Sequence, residues 1–330
     1  MISAEAGGPG SVVITEIPSP EPGFGEVRVA VRACGVNYPD VLFVADRYQI
    51  RVPRPFSPGG EVAGVIDAIG PGVNGIECGE RVAAVTGWGG MAEQVVVPAD
   101  RVIPLPDEVP FEQAATLLFS YGTAWHALKS CADLQPGDSL IVLGAAGGVG
   151  TAAIQVGCLL GAAVVAATSS REKASAAQLA GARQSVVYPR GPLDSSAAQG
   201  LRDQLRQAAG GSGAAVVFDP VGGDYTEPAF RALREGGQYL TVGFTAGIPS
   251  LPLNIVLLKS ARLFGVNWRQ FVMESPSEHV HDATHLFDLC AEGQLNPAIS
   301  RRFALEDAGA AMHLVDSRAA VGKIVISIEG

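Results

Sequence analysis

A glycine-rich turn is the part of the sequence with the clearest chemical meaning. The apolar run 140–143 is followed by the turn 144–150 (Gly-Ala-Ala-Gly-Gly-Val-Gly) and by the apolar stretch 151–160. A buried strand that enters such a turn and continues as a helix is the context of a dinucleotide-binding motif, because backbone N–H groups and the helix dipole can stabilise a pyrophosphate. We predict that the turn binds a pyrophosphate through Ala146, Gly147, Gly148 and Val149. Ala145 replaces the first glycine of the usual G-x-G-x-x-G pattern, so a tight corner without a ligand stays open as the alternative.

The end of the next predicted strand indicates which dinucleotide is bound. Folds selective for NAD place Asp or Glu there to bind the ribose 2′-hydroxyl. Here Thr168 is followed by hydroxyl groups and cations instead of a carboxylate. These groups would attract a 2′-phosphate, so we predict NADPH as the cofactor, bound by Ser169, Ser170, Arg171 and Lys173. The two serines could also cap the following helix, and the two roles are compatible.

The elements that must position these residues divide the chain in two. Up to about Pro106, Gly/Pro turns separate short β-rich runs over 27–31, 61–66, 81–85 and 93–97, which predicts a mostly β domain. From about Pro110, predicted helices alternate with predicted strands over 139–143, 163–167, 186–188, 215–218, 238–242 and 263–266. The helices are predicted over 111–116, 123–130, 149–160, 172–179, 200–209 and 225–233. Strands joined by helical crossovers predict an α/β fold with a Rossmann-type, doubly wound parallel sheet.

Length, composition and charge exclude several classes of protein. With 330 residues the chain is long enough for two domains, and its 48% hydrophobic and 17% charged residues are typical of a globular protein. The net charge of −10 disfavours an extended nucleic-acid interface. The five cysteines are far apart, the N-terminus lacks a signal-peptide pattern, and no apolar stretch reaches the ~20 residues of a membrane span. We expect a cytoplasmic protein that contacts neither nucleic acid nor membrane.

Five further segments occur in an order that is known from one protein family. They are Gly35-Val36-Asn37, Pro58-Gly59-Gly60-Glu61, Gly122-Thr123-Ala124, Asp219-Pro220-Val221-Gly222-Gly223 and Val242-Gly243-Phe244. Together they resemble the quinone oxidoreductase (zeta-crystallin-like) branch of the medium-chain dehydrogenase/reductase superfamily, over essentially the whole chain. The resemblance implies a GroES-like catalytic domain over residues 1–118 and 266–330 and a Rossmann NADPH-binding domain over residues 119–265. It also implies an active site in the cleft between the domains and a homodimer formed through the edge of the Rossmann sheet.

The chain departs from the zinc-dependent members of that superfamily at the metal ligands. Those enzymes carry Cys and His at the positions of Asn37 and Gly60, and neither residue here is a useful zinc ligand. His279, His281 and His285 could form a rival metal cluster, but the segment lacks an HExxH arrangement and is interpreted as a solvated helix face. We therefore predict no metal site.

The resemblance also implies roles for single residues. Asn37 and Tyr48 are the candidates for polarising the substrate oxygen, although Asn37 could be a turn residue and Tyr48 a half-buried aromatic. The residues expected to contact the cofactor, besides the turn and the serine segment, are Asn37, Thr123, Tyr188, Val242, Gly243, Phe244 and Lys323. An exposed lysine without a cofactor contact remains the alternative for Lys323.

The missing metal ligands point to the substrate class. An unactivated ketone needs a Lewis acid, whereas a quinone or another conjugated carbonyl needs only hydrogen-bond donors for the developing oxyanion. We therefore predict an NADPH-dependent quinone oxidoreductase. One alternative is an enone or enoyl-CoA reductase, with Arg47, Arg51, Arg54 and Arg269 as possible CoA contacts. The other is a non-enzymatic, nicotinamide-binding structural protein.

Overall fold

The computed structural model describes residues 1–328, and the chain divides into two compact units. The first unit comprises Met1–Gly122 together with the chain from Phe271 onward. The second unit comprises Thr123–Gln270.

The strands and helices of the described residues are numbered here along the chain. The strands are β1 Glu26–Val36, β2 Glu61–Ile69, β3 Arg81–Val85, β4 Gln94–Pro98, β5 Val102–Pro104, β6 Ser139–Leu143, β7 Ala163–Thr168, β8 Gln184–Val187, β9 Ala214–Asp219, β10 Leu233–Thr241, β11 Arg262–Gly265, β12 Ile299–Phe303 and β13 Lys323–Ser327. The helices are α1 Tyr38–Val44, α2 Phe111–Trp125, α3 Gly148–Leu159, α4 Arg171–Leu179, α5 Ser195–Ala208, α6 Thr226–Arg231, α7 Leu253–Leu258, α8 Trp268–Glu274, α9 Pro276–Ala291 and α10 Ala308–Asp316.

The first unit is built around a mixed seven-stranded sheet. Its order is β12-β13-β1-β2-β3-β5, with β4 paired to β1, and all described pairs are antiparallel except β12 with β13. The long central strand β1 alternates between the two faces of the sheet, so that Val27, Val29 and Val31 are buried in the core. The register of β1 with β13 pairs Val36 with Ile324, which brings the ends of these two strands together.

The second unit is a six-stranded parallel sheet in the order β11-β10-β9-β6-β7-β8. The central strands β6 and β9 are apolar except for Ser139 at the start of β6 and Asp219 at the end of β9, as expected when helices cover both faces of a sheet. The predicted α/β class, a doubly wound parallel sheet with a second, mostly β unit, is confirmed.

Local boundaries differ from the predicted ones in three places. The predicted helices over 111–116 and 123–130 form one continuous run, in which α2 leads directly into a π-helical turn, His126–Cys131. The predicted helix over 225–233 ends at Arg231, and β10 already begins at Leu233. A register shift between Leu233 and Gln238, where Gly236 has a φ of 69°, interrupts β10, which explains why only its second half shows a strand pattern in the sequence. α5 begins at Ser195 and not at residue 200, because Asp194 caps it by accepting a hydrogen bond from the Ala197 N–H at 2.8 Å.

Among the described residues, no helix is long and apolar enough to cross a membrane.

Candidate functional site

The glycine-rich turn of the second unit joins β6 to α3. Gly144 begins the turn with a φ of 58°, a left-handed conformation that side chains disfavour. A methyl group on Gly150 would lie 2.3 Å from the Gly144 carbonyl oxygen, so only glycine allows the first turn of α3 to pack this closely against the strand. The glycines therefore serve close backbone packing at both ends of the turn.

The turn fits a dinucleotide pyrophosphate. Gly147 is the N-cap of α3, so no side chain caps the first N–H groups of this twelve-residue helix. A methyl group on Gly147 would contact only the Gly144 oxygen, at 3.4 Å, so the turn presents backbone in place of side chains. Ala145, which replaces the usual first glycine, is buried, and its N–H donates to the Ala167 oxygen at 3.1 Å. The predicted residues at 146–149 thus surround uncapped N–H groups, which are suited to a phosphate.

The predicted phosphate-binding serines lie directly after β7. Ser170 is the N-cap of α4, and its hydroxyl oxygen accepts a hydrogen bond from the Lys173 N–H at 3.2 Å. Ser169 is bound by a residue that the sequence analysis missed, because the Arg190 Nε donates to the Ser169 Oγ at 3.3 Å. Arg190 follows β8, which is the neighbour of β7 in the parallel sheet. Since parallel strands end at the same edge of a sheet, a cation shortly after β8 was the signal that could have identified it.

The charges at the carboxyl ends of β7 and β8 favour a bound anion. The pKa of Lys173 is lowered, first by burial and then by the positive charge of Arg190, while Glu172 acts in the opposite direction. Two cations are therefore held close enough to repel each other beside two hydroxyl groups. A bound dianion would relieve that repulsion, so the arrangement suits a 2′-phosphate.

Tyr188 connects this edge to the glycine turn. It is buried, its N–H donates to the Thr168 oxygen at 2.8 Å, and its ring lies 4.7 Å from that of Tyr225. Burial raises the pKa of Tyr188 to about 12, partly offset by a hydrogen bond with the backbone of Gly144. The phenol is therefore neutral, and it supports the turn from the side of β8.

The predicted nicotinamide-binding backbone is organised by a buried carboxylate that the prediction did not include. The Asp219 side chain accepts hydrogen bonds from the Val221 and Gly222 N–H groups at 2.7 and 2.8 Å, and from the Tyr239 hydroxyl at 2.6 Å. Its backbone oxygen accepts a hydrogen bond from the N–H of Val242 at 2.8 Å. Asp219 thereby holds together the loops that follow β9 and β10.

The remaining predicted nicotinamide contacts lie in the same unit. Gly243 continues from Val242, and its N–H donates to the Asp219 oxygen at 3.2 Å. Phe244 is exposed, and its Cα lies 3.2 Å from the position that a Cβ of Gly222 would take. Thr123 is buried near the end of α2.

In the first unit, the structure brings Asn37 and Lys323 together. The Lys323 Nζ donates to the Asn37 Oδ1 at 2.7 Å and to the Glu61 Oε1 at 2.8 Å, and the Asn37 Nδ2 donates to the same Glu61 oxygen at 2.9 Å. The side chains of this triad are almost fully enclosed, with relative exposures of 7% for Asn37, 0% for Glu61 and 4% for Lys323. Lys323 is therefore not an exposed lysine, and its ammonium group contacts two other side chains of its own unit.

Glu61 is the residue of this triad that the sequence analysis left without a role. Its second oxygen, Oε2, accepts a hydrogen bond from the Phe119 N–H in α2 at 2.8 Å. A methyl group on Gly35 would lie 2.4 Å from the Glu61 Oε1 and 2.0 Å from the Ala115 oxygen, so glycine is needed where β1 passes α2. The signal in the sequence was a lone carboxylate in the Pro58-Gly59-Gly60-Glu61 segment.

Asp40 fixes the loop that carries Asn37. It is buried, and it accepts hydrogen bonds from the Asn37 N–H at 2.7 Å and from the Gly59 N–H at 3.2 Å. Burial raises the pKa of Asp40 to about 7, against the effect of these two N–H groups, which lower it. Asp40 therefore fixes the backbone of this loop.

Tyr48 belongs to an aromatic group beside α1. Its ring centroid lies 4.5 Å from that of Phe43, which in turn lies 6.2 Å from that of Trp88. Tyr48 is partly buried and Trp88 half-exposed. The group offers apolar, flat surface in the same unit as Asn37.

The three histidines of the rival cluster do not act together. His281 and His285 are exposed on α9, whereas His279 is buried, so the interpretation of a solvated face is wrong for His279. Burial, followed by the charge of Arg101, lowers the pKa of His279 to about 4. Within residues 1–328, no three His, Cys, Asp or Glu side chains are grouped so that they could hold a metal ion.

Comparisons with known proteins agree with this geometry. A Rossmann sheet with a glycine-rich turn, joined in one chain to a mostly β unit, is the architecture of the medium-chain dehydrogenases and reductases. Residues 23–107 match the family described as alcohol dehydrogenase GroES-like domain, and residues 180–326 match the family described as zinc-binding dehydrogenase. The chain belongs to the medium-chain dehydrogenase/reductase superfamily, in its quinone oxidoreductase-like branch.

Three relatives represent these similarities. Quinone oxidoreductase-like protein 2 of Bos taurus is 36% identical over 306 residues, which cover 92% of this chain and 85% of the relative. A mycobacterial protein solved in complex with NADPH is 31% identical, with a TM-score of 0.90 and coverage of 99% of this chain and 98% of the other. The quinone oxidoreductase of Escherichia coli, also solved with NADPH, is 27% identical, with a TM-score of 0.89 and the same coverage.

Proposed function

We propose that this protein is an NADPH-dependent oxidoreductase that reduces quinones without a metal ion. The observation that carries the proposal is the pair of sites within one chain. The second unit offers uncapped N–H groups at α3 and two neighbouring cations, Lys173 and Arg190, for the dinucleotide. The first unit offers the buried side-chain amide of Asn37, whose oxygen accepts a hydrogen bond from Lys323. The NADPH complexes of the mycobacterial and Escherichia coli relatives support the choice of cofactor.

The chemistry requires little from the protein beyond binding, orientation and a donor. When bound, the reduced dinucleotide supplies a hydride, and a quinone that takes up this hydride and one proton becomes the hydroquinone. In this proposal the Asn37 N–H donates a hydrogen bond to the quinone oxygen on which negative charge develops. Phe43, Tyr48 and Trp88 provide apolar, flat surface for the ring, and solvent supplies the proton.

One local observation favours a quinone over a CoA thioester. Arg54, one of the arginines considered for binding CoA, is held by hydrogen bonds to other residues of the first unit. Its guanidinium donates to the Val44 oxygen at 3.0 Å and to Asp46 at 2.8 Å, and it also contacts Ser3. A cation held in this way is less suited to a large anionic cofactor.

The proposal is tested by steady-state oxidation of NADPH with 1,4-naphthoquinone, a cyclic enone and crotonyl-CoA. We expect the highest kcat/KM with the quinone. Replacing Asn37 with Ala removes the oxyanion donor and should lower kcat about 10²- to 10³-fold, while Asn74→Ala, on an exposed loop of the same unit, should leave kcat unchanged. A higher kcat/KM with crotonyl-CoA would replace quinone reduction by enoyl reduction, and full activity of Asn37→Ala would remove Asn37 from the site.

We also propose that the protein forms a homodimer through the β11 edge of the Rossmann sheet. The adjacent helix α7 exposes three leucines, Leu253 by 71%, Leu257 by 80% and Leu258 by 76%, and an apolar patch beside an open sheet edge is typical of an interface. Sedimentation velocity should give a dimer for the wild type and a monomer for Leu257→Glu/Leu258→Glu. Leu179→Glu, at an exposed leucine on α4, is the matched control and should remain dimeric. A monomeric wild type, or a dimeric double variant, would contradict this interface.

A further inference from the structure

A buried ion pair lies directly behind the candidate oxygen-polarising residue. The Lys323 Nζ is 2.8 Å from the Glu61 Oε1, and both side chains are almost completely enclosed. Burying two opposite charges requires the loss of their hydration, and such pairs often add little net stability compared with apolar residues of similar size. The location of this pair, in contact with Asn37, points to a role in the site.

We propose that Lys323 is a positioning residue whose ammonium group, held by Glu61, fixes the Asn37 amide as a hydrogen-bond donor toward the substrate oxygen. The inference rests on the proposed function, because it assigns Lys323 a part in the work of Asn37. In the zinc-dependent relatives the position of Asn37 carries a metal ligand. Here the ammonium group of Lys323 lies beside the same position, and it acts through the amide rather than on the substrate.

The chemistry of the two charged neighbours determines the orientation of the amide. An ammonium group can only donate and a carboxylate can only accept, so the Asn37 oxygen must face Lys323 and the Asn37 nitrogen must face Glu61. The opposite orientation would place the amide N–H groups against the ammonium group. The ion pair thus excludes the rotated amide, in which an oxygen would repel a developing oxyanion.

One N–H of Asn37 makes only a weak contact, which a ligand could replace. The Nδ2 makes a 2.9 Å hydrogen bond to the Glu61 carboxylate and a 3.5 Å contact with the Gly35 oxygen, the latter at the limit of hydrogen-bonding distance. A substrate oxygen can replace this weak contact at small cost. The ammonium group on the amide oxygen also draws electron density from the amide, which strengthens its N–H groups as donors.

The fold holds the ammonium group in place from two sides. The antiparallel register of β1 and β13 pairs Val36 with Ile324, so Asn37, directly after β1, lies next to Lys323, the first residue of β13. Glu61 begins β2, and the Phe119 N–H binds its other oxygen at 2.8 Å. Neither charged group can leave without breaking contacts to two elements.

The test uses the full chain and separates positioning from stability. Lys323→Met alone leaves Glu61 as a buried, uncompensated charge and is expected to lower the Tm. The double variant Lys323→Met/Glu61→Gln removes both charges, keeps an acceptor for the Phe119 N–H and should recover most of that Tm. If the role is positioning, kcat with naphthoquinone stays about 10- to 100-fold below wild type in the double variant, while the Kd for NADPH is unchanged. Lys323→Arg should retain part of the kcat, and Arg301→Met on the neighbouring strand β12 should retain all of it.

A second measurement does not depend on turnover. The sequence contains only five asparagines, so selective ¹⁵N-asparagine labelling gives five side-chain amide pairs by NMR, of which Asn37→Ser identifies one. We expect slow solvent exchange of the Asn37 amide in the wild type and fast exchange in the double variant. Wild-type kcat together with a protected amide in the double variant would overturn the inference. If the wild type reduced no quinone, the proposed function would fail, and the exchange of the amide would decide alone whether Lys323 positions Asn37.

Discussion

The cation pair at the end of the Rossmann strands allows a sharp prediction about cofactor choice. We expect the double variant Lys173→Met/Arg190→Gln to lose NADPH affinity and to keep NADH affinity. Lys173 and Arg190 are close enough that each charge affects the other, and Arg190 also binds the Ser169 hydroxyl. NADH lacks the 2′-phosphate, so neither cation has a group to bind on it.

The size of the effect follows from the contacts that are lost. A hydrogen bond to a charged group contributes about 1.5–3 kcal/mol. Arg190 is exposed and Lys173 partly buried, so solvent weakens the contribution of Arg190 more. Two contacts at the lower end of that range give about 3 kcal/mol, which corresponds to an increase of about 100-fold in the Kd for NADPH.

The apo protein provides an independent check on the reasoning. Because the two cations repel each other, their removal should leave the free energy of unfolding without ligand unchanged or slightly higher. A structural role for these side chains would instead lower it. A lower free energy of unfolding without ligand is therefore expected only for the structural role.

The assay is titration of the apo protein with NADPH and NADH, followed by nicotinamide fluorescence, with thermal unfolding of the same samples. Arg183→Gln is the matched control, since Arg183 is also exposed but lies before β8, at the amino ends of the parallel strands and away from the cation pair. The reasoning is refuted if NADPH and NADH lose affinity equally in the double variant. A loss of NADPH affinity in Arg183→Gln as large as that in the double variant would show a general effect of charge.

Two further predictions concern stability. Gly150→Ala places a methyl group 2.3 Å from the Gly144 oxygen and should lower the free energy of unfolding by about 1–3 kcal/mol and weaken NADPH binding, as measured by urea denaturation and titration. Gly200→Ala, a helical position with open space, should be neutral or stabilising by up to about 1 kcal/mol, and a similar loss in both variants would contradict the packing argument. The folded-state pKa of His279 is lowered to about 4, so its contribution to stability is complete above pH 6.5 and is lost as the pH falls to 4. Between pH 7 and pH 4, the free energy of unfolding of His279→Gln should therefore fall by about 3 kcal/mol less than that of the wild type. The control His281→Gln, at an exposed histidine, should follow the wild type. Identical pH profiles for all three proteins would exclude the argument.

Much of the fold could be predicted because its signals are local. The strand 139–143, the turn and α3 follow one another without interruption, and each has its own pattern of apolar residues and glycines. The start of β10 could not be predicted in the same way. Its first residues include Gly236 and Gly237, which have no strand preference, and only the pairing of Leu233 with Ala214 makes them part of the sheet.

The same distinction between local signals and pairing across the sheet applies to the site residues. Ser170 could be identified because a helix cap depends on neighbours in the sequence. Arg190 acts on Ser169 across two parallel strands, and Lys323 reaches Asn37 across 286 residues of sequence. These pairings depend on strand order and register, and the sequence alone specifies neither, so the roles of Arg190, Glu61 and Lys323 emerge only from the three-dimensional structure.

The most direct test of the account is NADPH oxidation with naphthoquinone by protein whose metal content has been measured. The account predicts turnover by metal-free protein, an unchanged rate after treatment with a chelator, no increase on addition of zinc, and a lower kcat/KM with NADH. Turnover that requires zinc, or that proceeds best with NADH, would contradict it.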